Sequence, residues 1–84
     1  MKKRLGFVGI VVEDRHVSAP KVNAVLTEFG DLIVGRMGIP HLDEECSVIT
    51  LIVKATTDEV GSLTGKLGQI PGIAVKSGLT AVGK

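Results

Sequence analysis

The sequence predicts one α+β domain, residues 1–84, of ferredoxin-like βαββαβ type, and three observations carry that prediction. Residues 5–12 and 47–53 are almost wholly apolar and rich in β-branched side chains, the pattern of strands buried on both faces. Two further segments carry apolar residues at helical spacing. The halves also echo one another, KVNAVLTEFGDLIVG answering EVGSLTGKLGQIPGIAV, each at the heart of a strand–helix–strand unit.

In chain order, the first strand is LGFVGIVV, followed by the polar loop Glu13-Asp14-Arg15-His16. Ser18 then stands as an N-cap with Pro20 in the first helical turn, and Val17 and Val22 are spaced as a hydrophobic staple. Val22, Val25, Leu26 and Phe29 form the first helical stripe, and Gly30 reads as a left-handed stop. Residues 32–39 form the second strand, ended by Pro40 and the loop His41-Leu42-Asp43-Glu44-Glu45. After the third strand, Thr56 and Glu59 fit a capping box that opens a helix carrying Val60, Leu63, Leu67 and Ile70. Pro71-Gly72 is a turn, and residues 73–82 are the last strand.

Right-handed crossovers place these strands in an antiparallel sheet of order 4-1-3-2 with both helices on one face. Arg36, Lys76 and Thr80 in the second and fourth strands suit edges, whereas the first and third strands suit the centre. The face away from the helices is then apolar, and the reading assigns it Val8, Ile10, Val48 and Ile52. Covering such a face with a second copy predicts a homo-oligomer, a dimer or tetramer.

Composition narrows the function. Ten Lys and Arg against nine Asp and Glu leave a net charge of +1, and Phe7 and Phe29 are the sole aromatics. Neither a basic stripe nor a stacking platform is present, so no direct DNA binding is expected. One cysteine, no secretory pattern and no long apolar run predict a cytoplasmic chain without a membrane span. No nucleophile–base pair, phosphate loop or paired-His motif is found, so no enzyme is expected.

The segments GFVGIVVEDR, VGRMGIP and TDEVGSLTGKLGQIPGI together resemble a bacterial family described as regulators of the iron-only hydrogenase system. These are small stand-alone ACT-like domains, and the likeness spans nearly the whole chain. It implies a regulatory module with a small-molecule effector at a subunit interface and a hydrogenase-system protein as partner. The stretch His41 to Cys46 also resembles, in shortened form, the nickel-binding loop of the C-terminal domain of the nickel-responsive repressor. That likeness implies His41 and Cys46 as metal ligands. Ile39 stands where a further histidine would be, and the ribbon-helix-helix DNA-binding segment is absent.

Two candidate sites result. The effector set is Glu13, Asp14 and Arg15 at the first strand–helix connection, with Arg36 and Gly38 in the second strand. An arginine between Gly35 and Gly38 can clamp an anion, pair with a second subunit, or serve as an edge charge that deters aggregation. The metal set is His41 and Cys46, suited to nickel or zinc but too few for a closed shell. On ligand count the expectation is no resident cofactor, with Cys46 opening a buried strand as a small apolar residue. Gly61, Gly65 and Gly68 line one side of the second helix, a face for close packing or for solvent.

Overall fold

Alternation along the apolar runs builds the sheet in the computed structural model, which describes residues 2–13, 15–40 and 46–83. The elements are β1 (Arg4–Val12), α1 (Arg15–Glu28), a 3-10 turn (Gly30–Leu32), β2 (Ile33–Ile39), β3 (Ser47–Ala55), α2 (Thr57–Gly68) and β4 (Ile73–Leu79). The strands pair antiparallel in the order β2-β3-β1-β4, which is 4-1-3-2 read from the other edge. Fold class and strand order are therefore those the sequence predicts.

The core lies between the sheet and the helices. Val8, Ile10 and Val12 of β1 and Leu51 and Val53 of β3 are fully buried against Val22, Leu26, Leu63 and Leu67 of the helices. This corrects the assignment of the open face. Val8 and Ile10 pair with Leu51 and Ile49 beneath the helices. The open face instead carries Phe7 opposite Ile52, Val11 opposite Val48 and Leu5 opposite Lys54. Phe7 is 54% exposed, Ile52 44% and Val11 36%. Alternation separates the two sets, but both are apolar, so hydropathy alone does not tell which one meets the helices.

Three local features differ from expectation. Helix α1 begins at Arg15, so Ser18 lies inside it and Pro20 sits one turn in. Ser18 is buried, and its hydroxyl donates to the Pro71 carbonyl at 2.7 Å, a tertiary bond that replaces the capping role. Val17 is exposed and lies inside the helix, not ahead of its N-cap where a staple residue would stand. Gly30 continues into the 3-10 turn; among the described residues only Gly72 has a left-handed backbone, with φ 76°. Strand β4 stops at Leu79, because Leu5 divides its main-chain bonds between Thr80 (2.8 Å) and Val82 (2.7 Å), and the Thr80 hydroxyl bends the chain between them.

Helix α2 forms as read. The Thr56 hydroxyl accepts from the Glu59 N–H at 3.2 Å, and the Glu59 carboxylate accepts from the Thr56 N–H at 2.8 Å. Val60, Leu63, Leu67 and Ile70 are all buried. A Cβ added at Gly61, Gly65 or Gly68 would meet nothing in the chain, so that side of α2 faces open space.

Candidate functional site

Residues paired across antiparallel strands share a face, and this places the first candidates. Arg36 pairs with Leu51 and Gly38 with Ile49, so both lie on the helix side of the edge strand β2. Helix α1 crosses there, and the Arg36 Nη2 donates to Asn23 Oδ1 at 2.8 Å. Arg36 is exposed and, among the described residues, pairs with no carboxylate. Four of its five N–H donors remain for another partner.

Beside this pair lies a pocket of about 230 Å³ between α1 and the β2–β3 edge. Arg36, Asn23 and Ser47 supply its polar groups, and Gly38 forms part of its wall. Ser47 is only 8% exposed, and its hydroxyl has no hydrogen-bond partner among the described residues. A buried hydroxyl left unmatched is costly unless water or a ligand meets it. The rest of the helix-side wall is Ala19, Pro40 and Ile49, whereas Ile39 and Val48 pair with each other and turn their side chains to the open face.

Glu13 follows β1 at the same end of the sheet, where β1 and β2 end and β3 and β4 begin. Glu13 is exposed and does not line the pocket; its N–H donates to the Gly72 carbonyl at 2.9 Å, tying the loop to the start of β4. Asp14 and the Arg15 side chain lie outside the described residues. The effector set is thus divided: Arg36 and Gly38 share a pocket, and Glu13 stands apart from it.

His41 also lies outside the described residues. Cys46 is half-buried just before β3, its Sγ 4.0 Å from the Ser47 carbonyl oxygen. Among the described residues no three of His, Cys, Asp and Glu gather as a metal set. Nor is any helix among them long and apolar enough to cross a membrane.

Sequence reasoning missed Asn23 and Ser47. Ser47 had a signal, since period-two alternation places it on the side of Ile49, Leu51 and Val53. Asn23 had none, because its role depends on how α1 is rotated over the sheet.

Comparison with known proteins places this geometry in context. The family model for TM1266-like proteins, described as "Iron-only hydrogenase system regulator, putative", matches residues 4–77. The structure of protein TM1266 from Thermotoga maritima is similar with a TM-score of 0.87 and 41% identity, covering 93% of this chain and 98% of that one. The ACT domain of the GTP pyrophosphokinase of Chlorobium tepidum is similar with a TM-score of 0.76 and 21% identity, over 89% of this chain and 97% of the other. The nitrogen regulatory PII-like protein CPII of Thiomonas intermedia K12, solved with ADP, AMP and bicarbonate, gives a TM-score of 0.53 at 17% identity, covering 92% and 90%. The last two share the fold alone. None of the curated proteins matches the sequence significantly. With the family model spanning β1 to β4 and the Thermotoga protein alike over nearly its whole length, the chain belongs to the TM1266-like family of iron-only hydrogenase system regulators.

Proposed function

We propose that the chain is an effector-sensing regulatory module of the iron-only hydrogenase system, that it works as a homo-oligomer, and that it is not an enzyme. The observation that carries this reading is the pocket beside Arg36. It joins a cation with spare donors, an unmatched buried hydroxyl and an aliphatic wall. Such a wall holds a small molecule by burial while the donors orient it. Nothing described in the pocket serves as a nucleophile with its base. The PII-like neighbour, solved with ADP, AMP and bicarbonate, supports this reading.

Assembly fits the same reading. Phe7, Ile52, Val11 and Met37 leave the sheet face apolar, and a second copy would cover it. Ile39 belongs both to the strand bordering that face and to the pocket wall, so ligand and assembly are neighbours. A hydrogenase-system protein would receive the resulting signal. Native mass spectrometry of protein purified without a tag tests the sensing role. A retained mass of metabolite size, lost in a folded Arg36→Gln variant, is the expected result. Identical ligand-free spectra for both proteins would count against it.

A further inference from the structure

The polar groups of the pocket decide what class of effector it takes, a step that rests on the sensing role proposed above. The guanidinium of Arg36 only donates. Asn23 has spent its Oδ1 on Arg36, which leaves the Nδ2 hydrogens as donors. The Ser47 hydroxyl is unmatched and buried in the wall. The ligand must therefore bring acceptor oxygens, and Arg36 is the one cation among the described lining residues. A single negative charge is balanced there, whereas the several charges of a nucleotide phosphate would face one arginine.

We infer that the pocket binds a small organic monocarboxylate, its oxygens on Arg36, Asn23 and Ser47 and a short aliphatic body on Ala19, Pro40 and Ile49. The size agrees: about 230 Å³ falls below the roughly 300–1,000 Å³ of sites for drug-sized ligands. Gly38 offers a way to block the space. A Cβ there would lie 3.7 Å from the Val48 oxygen and 4.0 Å from Ile49 Cγ1, ordinary contacts, and its backbone is not left-handed. A larger side chain can thus enter the pocket without straining β2.

The test is titration of the full-length oligomer, followed by amide NMR, with isovalerate, its neutral analogue isovaleramide, and AMP. Saturable binding of isovalerate, with shifts at Asn23, Gly38 and Ser47, is the expected result. Affinity should fall at least about tenfold for isovaleramide and in Arg36→Gln, the loss of one charge-assisted contact. Gly38→Leu should lose binding while keeping a folded spectrum. Equal affinity for acid and amide, or no effect of either substitution, would overturn the assignment. Arg36-dependent binding of AMP without isovalerate would overturn it too, yet leave the sensing role standing. Binding of none of the three would overturn the carboxylate assignment, and the retained-mass experiment would judge the sensing role separately.

Discussion

Ser18 shows how a residue with a clear local pattern can be claimed by a distant partner. A serine two positions before a proline looks like a helix start, and on local grounds it is one. The chain instead starts α1 at Arg15 and uses the Ser18 hydroxyl to hold Pro71, fifty-three positions away. Sequence spacing carries no trace of that bond. Arg36 and Gly38 are the opposite case. An arginine and a glycine interrupting an apolar strand were visible at once, and both line the pocket. Removing the Ser18 hydroxyl should cost about 1 kcal/mol, since the Pro71 carbonyl loses its donor. Thermal unfolding of Ser18→Ala should accordingly show a fall of roughly 4–8 °C in Tm for a domain of this size. An unchanged Tm would mean that the bond contributes nothing.

Among the elements, those decided by local chemistry were the most legible. The capping box of α2 depends on residues three apart, and it forms as read, with Val60, Leu63 and Leu67 buried behind it. The ends of α1 and β4 depend on tertiary partners and were misplaced. At Gly6 an added Cβ would lie 2.5 Å from the Gly78 oxygen, so β1 and β4 approach too closely there for a side chain. That constraint becomes visible only once the strands are paired.

The capping box also has a pH signature. The backbone N–H of Thr56 holds the Glu59 carboxyl below its ordinary range, with smaller help from Lys3 and the Thr56 side chain against some desolvation. A carboxyl lowered on folding stabilises above its unfolded pKa and loses that contribution as pH falls through the folded value. The loss therefore lies at the acid end, below the usual carboxylate range. Thr56→Ala should cost about 1 kcal/mol at neutral pH by loss of the cap. Glu59→Gln, which cannot titrate, should flatten the acid-side decline that Glu59 contributes, whereas Thr56→Ala keeps the backbone N–H and most of that decline. Urea unfolding of the wild type and both variants at neutral and acidic pH checks this, and a Glu59→Gln decline parallel to that of the wild type would contradict it.

For the whole molecule, the sheet's two apolar faces were legible but their assignment was not. β1 reads GFVGIVV, and nothing in its hydropathy marks Val8 and Ile10 rather than Phe7 and Val11 as the core. Packing decides: Val8, Ile10 and Val12 are fully enclosed, whereas Phe7 and Ile52 stand side by side in the open. The account of this protein as an assembling sensor depends on that face being covered by another copy. Substitutions on the two sides of one strand therefore separate folding from assembly. Ile10→Glu places an unpaired charge in the core and should prevent folding. Phe7→Glu places it on the open face, where a single subunit leaves it in water.

Sedimentation equilibrium at micromolar concentration is the most direct measurement. The wild type should sediment at no less than twice the chain mass of 8.8 kDa, and Phe7→Glu, still folded, should shift toward the single chain. A wild type that is a monodisperse 8.8 kDa monomer, or a Phe7→Glu variant that assembles like the wild type, would contradict it.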